Sequence, residues 1–181
     1  MSARGDWRGE VLKFWFGLDR SQWFKVEEGL DHRIRERFLR LWHEKQPLPA
    51  EKFLLDPLTA LAAVLLFDQL PRNMFRGHAD QFATDSLALQ VARGAVERGY
   101  DELLEKDERV FLYLPFEHSE SIDDQRQSLL LFTALGQPDY LDHAKKHCDI
   151  IARFGRFPHR NFMLGRAPRP DEIAAGDVNP F

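Results

Sequence analysis

The sequence predicts an all-α protein. Three observations carry that expectation: apolar residues recur at helical spacing along nearly the whole chain, capping residues and prolines fall at the ends of those stretches, and no alternating run of four or more residues competes as a strand. The short connections favour antiparallel neighbours. Successive helix pairs are the pattern of a short α-solenoid, yet no clean repeat of roughly 34 residues is present, so periodicity leaves a solenoid and an irregular bundle equally supported.

Each element has its own signal. Val11, Leu12, Trp15 and Phe16 form the first stripe, opened by Asp6 and closed by Gly17. A second helix is expected from Asp31 into the forties on Ile34, Phe38, Leu41 and Trp42, with Pro47 as its stop. Asp56 caps a third with Pro57 at its first position, where the missing N–H is no loss. That segment, LTALAAVLLF, is apolar on nearly all sides and belongs in the middle of the fold, with Pro71 expected to end it. Asp80 is expected to cap a long helix carrying Phe82, Leu87, Leu89, Val91 and Val96 as far as Gly99. Asp107 opens a short one with Val110, Phe111, Leu112 and Leu114, ending before Pro115. Ser121 with Asp124 resembles a capping box for a helix through Leu129 and Phe132 to Gly136. Pro138 opens another, whose stripe of Tyr140, Ala144, His147, Ile151 and Phe154 runs to Gly155.

Composition bounds the function. A chain of 181 residues with 44% hydrophobic positions holds one full core, so a single domain over residues 1–181 is expected. Aromatic residues make up 12%, each able to bury about 150–250 Å², so compact folding needs neither metal nor disulfide. A net charge of -4 lacks the basic excess of a dedicated nucleic-acid binder. The longest apolar run, Ala60 to Phe67, falls well short of the roughly 20 residues a bilayer needs, and the first ten residues lack the apolar core of a signal peptide. Cys148 is the single cysteine, which agrees with a reducing, cytoplasmic compartment.

The chemistry concentrates in three loops. Phe67–Asn73 places Asp68 and Gln69 in the last turn of the most apolar helix, where a carboxylate opposes the helix dipole and Arg72 is the nearest compensating cation. Tyr113–Glu120 gathers Glu117, His118, Ser119 and Glu120, able to act as an acid/base set or simply to cap the next helix and pair with arginines. From Arg153 to Arg169 the chain carries Arg153, Arg156, Arg160, Arg166, Arg169 and His159 with no acidic residue, interleaved with Phe154, Phe157, Phe162, Met163 and Leu164. Aromatic anchoring implies that some of these guanidinium groups are buried, and buried guanidinium needs carboxylate or phosphate oxygens. Glu117, Glu120 and Asp68 are the expected internal partners and an anionic ligand the external one. His143 and His147 stand four apart, but His147 lies in the apolar stripe, and the context of a zinc-binding helix is missing. Cys148, one step off the stripe, reads as a packing residue.

WRGEVLKFWFG, LLFDQLPRNMFRG, FLYLPFEHSE and IIARFGRFPHRNFMLGR together resemble, in order and spacing, a widespread bacterial family known as domain of unknown function 924. The resemblance spans nearly the whole chain. It implies an all-helical fold similar to tetratricopeptide-repeat proteins, with no established biochemical activity. The matched polar positions are Asp68, Gln69, Arg72 and Asn73; Glu117, His118, Ser119 and Glu120; His147; and Arg156, His159, Arg160, Asn161, Gly165 and Arg166. One departure stands at the tail, where a Ser or Thr cap is expected ahead of the last short helix and Arg169-Pro170-Asp171-Glu172 is found.

These residues support a helical scaffold whose polar pocket binds a small anionic ligand or a peptide, with Asp68, Arg72, Asn73, His147, Arg156, Arg160, Asn161 and Arg166 as binding residues. The alternative is an enzyme in which Glu117, His118, Glu120 or His159 serves as acid or base while arginines hold an anion. A further alternative is a purely structural salt-bridge network. No metal, cofactor, nucleic-acid or membrane partner is implied.

Overall fold

The helix punctuation of the sequence reappears in the computed structural model, which describes residues 5–180. Among those residues all regular structure is helical: α1 (Trp7–Phe16), α2 (Glu28–Lys45), α3 (Pro57–Val64), α4 (Leu70–Met74), α5 (Asp85–Glu97), α6 (Lys106–Glu117), α7 (Ile122–Leu135), α8 (Pro138–Phe154) and α9 (Pro170–Ala175). No described helix is long and apolar enough to cross a membrane. The chain divides into two compact units, Met1–Leu112 and Tyr113–Phe181, with the boundary inside α6.

In the first unit the caps act as the sequence anticipates. The Thr59 N–H donates to Asp56 Oδ1 at 2.8 Å, and Pro57 takes the first helical position. α1 packs on α3, α3 on α5, and α2 on α4. Ala60 through Phe67 are fully buried, as their apolar run requires. α2 begins at Glu28 rather than Asp31 because Leu30 is buried with Ile34, Phe38 and Trp42, which carries the stripe one turn further back.

Pro71 does not end its helix. The turn Leu65–Gln69 is widened, so that the Leu70 N–H reaches back five residues to the Leu65 carbonyl, and helical backbone continues through Pro71 to Met74. A proline ring ordinarily collides with the carbonyl four residues before it, here Phe67, and cannot donate to it. The wide turn removes the collision, and the orphaned Phe67 oxygen accepts instead from the Thr84 hydroxyl at 2.7 Å. Thr84 Oγ1 in turn accepts from Trp42 Nε1–H at 3.1 Å. That commitment also explains why Asp80 caps no long helix. A short 3-10 turn spans Ala79–Phe82, the chain breaks at Thr84, and α5 starts only at Asp85. Pro115 likewise lies inside α6, which runs on to Glu117. Near-complete burial of Val110 through Phe116 outweighs the roughly 3 kcal/mol that an interior proline costs.

In the second unit α7 packs on α8. Both helices close on a glycine in the left-handed region, Gly136 with φ 71° and Gly155 with φ 69°. α8 buries Ala144, His147, Ile151 and Phe154, with Tyr140 half-buried at the start of the stripe. The start of α7 differs from expectation: Ser121 makes no side-chain cap, and Ser119 Oγ instead donates to Asp124 Oδ2 at 2.7 Å while accepting the Ser121 N–H at 3.2 Å. α9 begins without Ser or Thr because Glu172, in its first turn, accepts the Arg169 N–H at 2.7 Å.

Candidate functional site

The loop after α6 is held by α7. Gln125 Nε2 donates to the carbonyls of Glu117 at 2.7 Å and Ser119 at 2.8 Å, which fixes Glu117 and His118 at the end of α6. Glu117 is 3% exposed and His147, from α8, 1% exposed. His147 Nδ1 lies 2.8 Å from the His143 carbonyl and 3.1 Å from Glu117 Oε1. Two acceptors around one ring nitrogen assign the proton to Nδ1. Burial drives the His147 pKa down to about 3, against the His143 carbonyl, which favours the charged ring; the neighbouring His118 and Arg160 push it the same way as burial. His147 is therefore a neutral core imidazole at pH 7, its ring 5.6 Å from that of Phe157 and 6.3 Å from that of His118.

The cationic segment folds back on two carboxylates. Arg166 grips Glu120 with both terminal nitrogens, at 2.8 and 3.0 Å, and Glu120 also accepts the Phe157 N–H at 2.7 Å. Burial works against the Glu120 carboxylate, but Arg166 and the Phe157 N–H outweigh it and hold its pKa below the ordinary value. Arg156 grips Glu172 in the same two-pronged way, at 2.6 and 2.9 Å. Glu172 further accepts from Asn161 Nδ2 at 2.9 Å, and the Arg156 bond leads a set that takes its pKa to about 2. Arg160 donates to the His118 carbonyl at 3.0 Å with its guanidinium carbon 4.5 Å from the Phe157 ring centroid.

Of the internal partners expected for these arginines, Glu120 is taken by Arg166, whereas for Arg156 the expectation is corrected: its carboxylate is Glu172. Arginines in a segment without acids can be neutralised by the first acids downstream in the chain, here Asp171 and Glu172. Of that pair Glu172 is the buried one, whereas Asp171 is exposed. Position after the arginines is thus the one sequence signal that pointed to Glu172. Gln125 and Ser128 are fully buried polar residues on α7 that no motif announces. Cys148, beside His147, has its thiol pKa pushed up by burial, in keeping with a packing role.

Asp68, Arg72 and Asn73 lie in the first unit and find partners there. Arg72 is clamped by Asp85 at 2.8 and 2.9 Å, with an Asp68 oxygen at 3.5 Å. Burial lowers the Arg72 pKa, and the charges of Asp68 and Asp85 more than reverse that. Gln69 Nε2 donates to Asp68 Oδ2 at 2.6 Å, and Asn73 Nδ2 to Asp31 Oδ1 at 2.7 Å. Asp85 and Asp31 carry no motif signal; they are helix-start acids recruited by the fold.

One member of each of the Glu120–Arg166 and Arg156–Glu172 ion pairs, Arg166 and Glu172, lines an open cleft of about 400 Å³. Asn161, Arg166 and Glu172 line it together with His159, while Pro158, Phe162, Pro168, Ile173 and Val178 supply apolar surface and Asp177 one more carboxylate. Phe162 is 96% exposed and Ile173 66% exposed. Arg166 commits four donor hydrogens to Glu120, Phe157 O and Asn161 Oδ1. A guanidinium group has five N–H donors, so one remains uncommitted. No group of three or more His, Cys, Asp or Glu among the described residues is placed to hold a metal.

Fold and site together define an all-helical protein whose C-terminal unit carries an ion-paired surface cleft. The chain belongs to the family described as bacterial protein of unknown function (DUF924), which matches residues 11–175. It is similar to a solved structure of a protein of unknown function from Agrobacterium tumefaciens, with 38% identity, a TM-score of 0.88, and coverage of 95% of this chain and 97% of that one. Comparison with curated proteins gives no match.

Proposed function

We propose that the protein is a cytoplasmic binding module whose second unit takes a small carboxylate, or the C-terminal carboxylate of a peptide, in the cleft beside Arg166. The observation that carries this reading is the pairing, in one cleft, of an uncommitted Arg166 N–H and the His159 ring with a Phe162 side chain left almost wholly in water. Burying an exposed phenylalanine gains about 1.5–3 kcal/mol, and a charge-assisted bond to guanidinium gives the ligand an orientation. Asp177 on the lining disfavours a polyanion, so a single carboxylate attached to an apolar group fits best. The Glu120–Arg166 and Arg156–Glu172 pairs serve as the rigid frame of the site, which joins the binding and structural readings in one arrangement. An acid/base role for Glu117 or His118 draws no support from their burial, because neither group is open to a substrate. The likeness to tetratricopeptide proteins expected from sequence agrees by fold analogy alone.

Saturation-transfer NMR with N-acetylphenylalanine and its amide tests the proposal. The acid is expected to bind saturably and the amide at least tenfold more weakly, with Phe162→Ala abolishing the signal while leaving the melting temperature within about 1 °C, as befits an exposed side chain. Equal binding of acid and amide, or full binding by the variant, overturns it.

A further inference from the structure

A second cleft, of about 500 Å³, lies in the first unit and is unlike the one above in its charge. Its lining is Lys13, Phe14, Gly17, Leu18, Arg33 and Arg37: three cations, two apolar side chains and no acid. Elsewhere several of its cleft and core arginines are paired with carboxylates, as with Arg72 and Asp85, Arg156 and Glu172, or Arg166 and Glu120. Lys13, Arg33 and Arg37 break that habit. None of them has a carboxylate within ion-pair distance among the described residues, although the chain as a whole carries a charge of -4. Glu36, next to Arg37 in the sequence, lies 3.2 Å from His32.

The three cations are also placed rather than scattered. Arg33 and Arg37 stand four residues apart on α2, so their Cβ atoms lie about 5–6 Å apart on one face. Arg37 is seated over two rings, its guanidinium carbon 5.4 Å from the centroid of Phe14 and 5.5 Å from that of Phe38. Such seating restricts the side chain before any ligand arrives and lowers the entropy lost on binding. Lys13 comes from α1, so the cations converge from two helices on one hollow. Arg40, one further turn along α2 at the spacing that continues the Arg33–Arg37 face, extends the same positive stripe.

We propose that this cleft binds a multiply charged phosphate, with phosphoryl oxygens on Lys13, Arg33 and Arg37 and any organic portion against Leu18 and Phe14. Two guanidinium forks and an ammonium offer more donors than a single carboxylate can use, and their spacing suits oxygens spread over two linked phosphoryl groups. A membrane surface fits less well, because a hollow admits a compact ligand whereas flat anionic lipid favours a convex or linear basic face.

Inorganic pyrophosphate is the probe. Titration calorimetry on the full chain at low ionic strength, about 20 mM NaCl, where contacts between exposed charges are least screened, is expected to give saturable binding that weakens on adding salt. The double variant Arg33→Gln/Arg37→Gln, whose side chains are exposed, is expected to bind at least tenfold more weakly while its melting temperature falls by no more than about 4 °C, the share of the lost Arg37 ring contacts. His159→Ala, in the other cleft, is expected to leave pyrophosphate binding unaltered, which separates this site from the carboxylate site. Absence of saturable binding, full retention by the double variant, or equal affinity for sulfate overturns the proposal.

Discussion

Replacing His147 with Asn should remove a specific portion of the acid sensitivity of the fold. In the native state burial holds the ring pKa at about 3, whereas an unfolded chain restores the ordinary value near 6.5. The unfolded state therefore takes up a proton first as pH falls. The sign follows from that order: His147 imposes almost no penalty above pH 6.5, the penalty grows as pH drops through 6.5, and it levels off only near pH 3. Between pH 7 and pH 5 the loss amounts to about 2 kcal/mol, a fall of roughly 4–8 °C in melting temperature for a chain of this length. Asn keeps an N–H in place of Nδ1–H but does not titrate, so the variant is less stable at pH 7 and the gap to wild type narrows by about 2 kcal/mol by pH 5. Calorimetric melts of both proteins from pH 7.5 to 5 check this, and the other histidines cancel in the difference. Parallel stability curves, or a folded-state His147 resonance titrating near pH 6.5, would refute the neutral-imidazole assignment.

Thr84→Val should cost about 2–5 kcal/mol in urea unfolding, because it strands both the Phe67 carbonyl freed by Pro71 and the Trp42 indole N–H, whereas Thr84→Ser should stay within about 1 kcal/mol. Glu120→Gln should cost about 1–3 kcal/mol at pH 7, the lower end reflecting side chains that remain partly solvated. Since Arg166 lowers the Glu120 pKa, that contribution is present above the ordinary carboxylate range and lost as pH falls through the folded value, so the variant and wild type should converge in acid melts. Gly155→Ala should cost about 1–2 kcal/mol by thermal melting, because a Cβ there meets no neighbour and only the φ of 69° is at issue.

Periodicity and caps made most of the fold legible. Asp56–Pro57, Gly136 and Gly155 mark helix ends as local chemistry requires, and the His147 stripe identifies its buried face. Proline was the misleading signal. Pro71 and Pro115 read as helix stops because the local cost of a proline is visible in sequence, while the remedies are tertiary: Thr84 supplies the missing donor for one, and burial on all sides supports the other. The candidate site was legible in its residue types and not in its pairing. Arg156, Asn161, His159 and Arg166 gather at one cleft or its frame, but the carboxylate that holds Arg156 and Asn161 is Glu172, outside the conspicuous FEHSE loop. Asp68, Arg72 and Asn73 satisfy themselves with Asp85 and Asp31, acids that stand in no motif at all.

The most direct test of carboxylate binding at the C-terminal cleft is a heteronuclear NMR titration of the isotope-labelled protein with N-acetylphenylalanine. Shift changes should concentrate at His159, Asn161, Phe162, Arg166, Ile173 and Val178, which line the cleft, and saturate along a single binding curve. Saturable changes confined to other residues, or none up to the solubility limit of the ligand, would contradict it.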